Sequence, residues 1–106
     1  MPISQGAGGQ SAWATSFRSS KTTVRSVTSA ASETLLCTKN ELRMGCSIYN
    51  DSTQVLYLKC GPQVTSSSFT VQMASESYFE VPFGFRGDIY GVWASANGSA
   101  MVTEFT

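Results

Sequence analysis

The amino-acid sequence predicts an all-β fold: a single β-sandwich or jelly-roll-like domain of seven or eight antiparallel strands, preceded by an extended N-terminal arm. Three observations carry that expectation. Short runs alternate apolar and polar residues with period two, Gly, Pro, Asn and Asp punctuate the runs, and no stretch shows a convincing helical pattern. Strand number and spacing of this kind belong to sandwiches and jelly rolls.

Residues 1–20 form the arm and residues 21–106 the β domain. The arm is rich in Gly and Ser, with Trp13 and Phe17 as its only aromatic groups, so it cannot build a core of its own. Two readings stand for those aromatics. They anchor the arm on a neighbouring surface, where aromatics are common, or they cap the core of their own domain.

The weaker strand candidates come first, at 22–29 (TTVRSVTS) and 33–38 (ETLLCT). Met44, Cys46 and Ile48 then share one face, with Gly45, Ser47 and Tyr49 on the other. Leu56, Leu58 and Cys60 alternate with Val55, Tyr57 and Lys59. The intervening Asn50-Asp51-Ser52-Thr53 supplies turn chemistry, which predicts a hairpin closed off by Gly61-Pro62. Phe69, Val71 and Met73 make the next run, followed by Phe79, Val81 and Phe83. The segment Ile89-Tyr90-Gly91-Val92-Trp93 is apolar on both faces, as expected of a central strand covered on both sides. Asn97-Gly98 is the strongest short hairpin signal in the chain, and Ala100 to Phe105 form the closing strand.

At 106 residues the chain is the size of one domain with a single core. Apolar residues make up 42% and charged residues only 13%, so much of the surface is neutral Ser, Thr, Gly and Asn. A surface of that kind suits a protein packed against neighbours. The net charge is zero but unevenly spread. Residues 1–32 carry Arg18, Lys21 and Arg25 and no acid, a net of +3, whereas residues 33–106 carry four cations against seven acids, a net of −3. This pattern is either chance or a basic arm that docks on an acidic neighbour. Three cations over eight residues are too sparse for a nucleic-acid patch.

The candidate partner-interface residues are therefore Trp13, Phe17, Arg18 and Arg25. Residues 1–12 lack the charged start and apolar run of a signal peptide, and no stretch approaches the ~20 apolar residues that span a bilayer. Synthesis in a cytosol follows, with Cys37, Cys46 and Cys60 as reduced, partly buried thiols. With no histidine and no CxxC pair, neither a zinc site nor any other cofactor is expected.

Enzymatic chemistry is not expected either. The Ser-His and Cys-His pairs have no histidine to draw on. Glu76 and Glu80 flank a turn and a strand where carboxylates are solvated. Gly6, Gly8 and Gly9 lack the preceding strand and the following Gly-Lys-Ser/Thr of a phosphate loop. The N-x-S triplets at Asn50 and Asn97 sit in predicted turns, where Asn serves conformation. Tyr49, Tyr57, Tyr78 and Tyr90 lie on strands, either as cross-strand packing pairs or as a face for sugar or protein.

Several motifs follow one another in a fixed order: Cys46-Ser47-Ile48-Tyr49-Asn50-Asp51-Ser52, Leu56-Tyr57-Leu58, Tyr78-Phe79-Glu80-Val81-Pro82, Gly87-Asp88-Ile89-Tyr90-Gly91-Val92-Trp93 and Val102-Thr103-Glu104. In that order, from Gly45 to Glu104, the chain resembles a module of small tailed-bacteriophage virion proteins. The matching residues are turn, strand and core types, so they mark a fold. The resemblance implies a capsid cement (decoration) protein that binds the major capsid protein or another virion protein, as a homotrimer on the shell with an arm gripping neighbouring capsomers. It places the protein in the virion, on the capsid surface, after synthesis in the host cytoplasm, with neither nucleic acid nor membrane as partner. A small tail, neck or baseplate component, or a glycan- or host-binding β module, are the alternatives.

Overall fold

The computed structural model describes residues 18–106. Among these residues there are eight strands and no helix. They are β1 (Thr22–Thr28), β2 (Thr34–Cys37), β3 (Gly45–Asp51), β4 (Leu56–Lys59), β5 (Val71–Met73), β6 (Tyr78–Glu80), β7 (Ile89–Trp93) and β8 (Ser99–Phe105). They form two four-stranded antiparallel sheets, ordered β1-β8-β3-β6 and β2-β7-β4-β5. That order is the jelly roll: the chain changes sheet at every connection except β4 to β5, and each sheet interleaves the first and last strands.

The alternation read from the sequence sets which side chains enter the core. Cys46, Ile48 and Asn50 point inward from β3, Leu56 and Leu58 from β4, Ile89 and Trp93 from β7, and Ala100, Val102 and Glu104 from β8. Leu36, Met73 and Val81 complete the layer between the sheets. Each large aliphatic side chain so buried contributes about 1.5–3 kcal/mol. Strand β7, flanked by β2 and β4, is the central strand its apolar run predicts.

Both predicted hairpins are corrected by the topology. Asn50–Thr53 joins β3 to β4, which lie in opposite sheets, and Asn97-Gly98 joins β7 to β8, which also lie in opposite sheets. These corners are arches over the core. The reason is burial: β3 and β4 each offer one apolar face, and folding them face to face buries both, whereas a flat hairpin would leave each face needing another cover. Local turn chemistry still matters, since Gly98 adopts φ 68° at its corner. Strand β2 departs from strict alternation because its register shifts between Leu35 and Cys37, which buries Leu36 and Cys37 in succession.

Candidate interaction face and the buried charge cluster

The outer face of the β1-β8-β3-β6 sheet follows directly from the register. Ser26, Met101, Tyr49 and Tyr78 lie in one row across the four strands, and Val24, Thr103, Ser47 and Glu80 in the next. Phe105 lies opposite Gly45 and Thr22 in the row beyond. No Lys or Arg faces outward from these strands. Asp51 and Glu80 are the only ionic groups there, and the Tyr78 hydroxyl donates to Glu80 Oε2 at 3.1 Å. That hydrogen bond raises the phenol above its ordinary pKa. Val24 and Tyr78 are each more than half exposed. Beside this face, Gly45, Cys46, Ser47, Glu80, Val81, Pro82 and Phe83 line a shallow cavity of about 300 Å³.

The opposite outer face is different, because the β4–β5 connection folds over it. Val64 of that connection is buried, and Phe69 packs on Tyr57 with ring centroids 5.2 Å apart at 49°. The four strand tyrosines therefore divide. Tyr57 is a packing residue and Tyr90 is half-buried, while Tyr49 and Tyr78 are a cross-strand pair open to solvent. Among the described residues, nothing covers the first face.

Between the sheets, at the end where the loop after β2 enters β3, lies a cluster that the sequence did not announce. Arg43 is fully buried. Its Nε donates to Glu104 Oε2 at 2.9 Å, its Nη1 to the carbonyls of Phe85 (3.1 Å) and Gly87 (2.9 Å), and its Nη2 to the Thr38 carbonyl (2.7 Å) and Cys37 Sγ (3.3 Å). Arg25 reaches in from β1, donating to Glu104 Oε1 at 3.3 Å and to Cys37 Sγ at 3.2 Å. Asn40 adds a donor to Glu104. Burial alone would raise the Glu104 carboxyl, but the hydrogen bonds from Arg43, Asn40 and Arg25 outweigh it and hold the group below its ordinary value.

The two cysteine thiols beside this cluster shift in opposite directions. The neighbouring Cys46 thiol, reinforced by the Arg43 charge, brings Cys37 down to about 7 against the opposing effects of burial and Glu104. Cys46 moves the other way, pushed up by the neighbouring Cys37, by burial and by the charge that Cys37 carries when ionised. Two guanidinium groups face one carboxylate here, and both also donate to Cys37 Sγ.

Of the candidate interface residues, Trp13 and Phe17 lie outside the described residues. Arg18 is exposed. Arg25 projects from the inner side of β1, and its charge is committed to Glu104 and Cys37 while its side chain keeps 41% exposure. The structure thus links Arg25 to a cluster, not to Arg18. Glu76 and Glu80 are both exposed, Glu76 at a left-handed corner with φ 60°. Asn50 is buried, so its N-x-S triplet serves the corner, and Asn97 accepts from the Thr53 backbone and hydroxyl at 3.0 Å. No helix among the described residues is long and apolar enough to cross a membrane. No family model, curated protein or solved structure matches the chain.

Proposed function

We propose that the chain is a non-enzymatic assembly protein that attaches to a larger protein shell through the outer face of the β1-β8-β3-β6 sheet, as a cement protein decorates the capsid of a tailed bacteriophage. One observation carries the reading. Four adjacent strands present Val24, Met101, Tyr49 and Tyr78 in neighbouring rows, with no outward cation and with nothing among the described residues lying over them. Aromatic-bearing surface of this kind suits contact with another protein, and Asp51 and Glu80 on the same face would be met by cations of the partner. The shell is stabilised by linkage, because the protein binds the assembled form in preference to its parts.

In this reading Trp13, Phe17 and Arg18 form a second attachment point and the bound state is a homotrimer on the capsid surface. Quantitative mass spectrometry of virions, normalised to the major capsid protein, tests it. A copy number near that of the capsid protein is the expected result. A few to a few dozen copies would move the protein to the tail or neck, and absence from the particle would overturn the proposal.

A further inference from the structure

We propose that Cys37 and Cys46 form a peroxide-oxidised dithiol pair, which closes a disulfide between the two sheets of the jelly roll. Cys37 ends β2, an edge strand of one sheet, and Cys46 lies on β3, an inner strand of the other. Cys46 lies opposite Glu104 in the sheet register, and Arg25 and Arg43 each donate both to Glu104 and to Cys37 Sγ, so the two thiols flank one cluster between the sheets. Cys60, the third cysteine, lies beyond the end of β4, and its thiol is raised chiefly by burial.

The surroundings prepare one sulfur of the pair for attack. Cys37 faces Arg25 on β1, Arg43 on the loop before β3, Glu104 on β8 and Cys46 on β3. Both guanidinium groups donate to its Sγ, at 3.2 and 3.3 Å. A thiolate between two arginines is the form that reacts with peroxide. Cys46 stays protonated beside it and is held as the resolving thiol.

The chemistry balances with hydrogen peroxide as the oxidant. The Cys37 thiolate attacks one peroxide oxygen, the O–O bond breaks, and hydroxide leaves and is protonated to water, giving Cys37 sulfenic acid. Cys46 then gives up its proton and attacks the Cys37 sulfur. The S–S bond forms, the S–O bond breaks, and the second oxygen leaves as water. Two thiols are oxidised and one peroxide is reduced to two waters.

Access is built in at two places. Cys46 lines the shallow cavity shared with Ser47, Glu80 and Phe83, and peroxide is little larger than water. Strand β2 is four residues long, lies at a sheet edge and joins β7 across a register shift, features that favour local opening.

The test exposes the folded, reduced full-length chain to hydrogen peroxide, blocks remaining thiols with iodoacetamide in denaturant, and maps tryptic peptides. Lys39 and Arg43 separate the two cysteines, so a bond between them appears as two joined peptides lacking two hydrogens. The expected result is that joined pair, with Cys60 alkylated. Its rate of formation rises between about pH 6 and pH 8 as Cys37 ionises, and it falls severalfold in Arg25→Gln. In Cys46→Ser, dimedone is expected to label Cys37. Should that variant not fold, the mapping of the natural chain decides alone. Full alkylation of both cysteines after exposure, a bond involving Cys60, or a bond formed only in denaturant would each overturn the proposal.

Discussion

The indole N–H of Trp93 donates to Oδ1 of Asn50 at 3.2 Å, joining the central strand of one sheet to the corner where the other sheet ends. Asn50 is fully buried, and every part of its amide is used. Its Nδ2 donates to the carbonyls of Gln54 (2.8 Å), Ala74 (3.0 Å) and Met73 (3.3 Å), and its Oδ1 also accepts from the Ser52 hydroxyl at 2.8 Å. One side chain thus ties together the β3–β4 corner, the end of β5 and the core tryptophan. Asn50→Ala leaves these buried partners unsatisfied and is expected to cost about 3 kcal/mol or more. Trp93→Phe leaves a smaller cavity and only Oδ1 short of one donor, and is expected to cost less. Urea unfolding of both variants ranks them, and an Asn50→Ala loss below about 1 kcal/mol would contradict the hub role.

Arg43 is a different kind of buried polar group, because it holds backbone as well as charge. Removing one partner of a buried ion pair costs about 3–5 kcal/mol, while replacing both with apolar groups is often neutral. Here the second outcome is not expected. Arg43→Met/Glu104→Leu removes both charges but also orphans the carbonyls of Thr38, Phe85 and Gly87. The double variant is therefore expected to remain destabilised by about 2 kcal/mol or more, since each buried unsatisfied carbonyl costs about 1–3 kcal/mol. Chemical denaturation of the single and double variants separates the ion pair from the backbone contribution.

The same cluster gives the protein two pH-dependent limbs. Glu104 is held below its ordinary value, so its contribution is full at neutral pH and is lost as acid protonates it, below the ordinary carboxylate range. Cys37 is also lowered, to about 7 from 9.0, so its contribution is full only above the higher value and is lost as pH falls through about 7. Cys46 and Cys60 are raised, and the stability they add as thiols is lost in alkali, above their ordinary range. The stability of the reduced chain is thus expected to rise from neutral pH toward pH 9 and to decline beyond it. Thermal melts across that range check the shape, and Cys37→Ser should abolish the rise.

Much of the fold was legible before the structure, and the reason lies in period-two alternation. Cys46 and Ile48, or Leu56 and Leu58, declare their common face within one strand, because each decision is local. Pairing is not local. Asn97-Gly98 satisfies a hairpin and a corner between sheets equally well, and only burial of both apolar faces decides between them. Arg43 was silent for a related reason: it stands in a polar stretch with no periodic signal, and its partner Glu104 is 61 residues away. Asn50 read as an ordinary turn residue because its acceptors come from segments as distant as β5 and its loop. The candidate interaction face was half legible, since the tyrosines were visible but which of them share an uncovered face depends on sheet order.

Two glycines carry opposite kinds of constraint and predict an order of damage. A Cβ on Gly91 would sit 2.8 Å from the tips of Leu36 and Leu56, flexible side-chain ends that can shift. Gly91→Ala is expected to cost about 1–3 kcal/mol by overpacking. Gly98 sits at φ +68°, and a Cβ there would press on the backbone oxygen of Asp51, which cannot move without opening the β3–β4 corner. Gly98→Ala combines backbone strain with that clash and should be the more damaging of the two. Equilibrium unfolding that ranked Gly91→Ala as the worse would show that the two leucines are more rigidly held than the corner.

The last prediction separates attachment from folding. Tyr49 and Tyr78 lie opposite each other on β3 and β6, with Tyr78 59% exposed and Tyr49 at 36%. Neither side chain enters the core, so Tyr49→Lys and Tyr78→Lys should each leave stability within about 0.5 kcal/mol of the natural chain. A lysine at either position would nevertheless replace an aromatic contact with a strongly hydrated charge that has to be desolvated on contact. Co-sedimentation with assembled capsids is therefore expected to fall by at least tenfold in affinity for either variant, while melting temperatures hold. Binding that survived both substitutions would move the contact off this sheet and onto the arm, where Trp13→Ala/Phe17→Ala is the corresponding pair to measure.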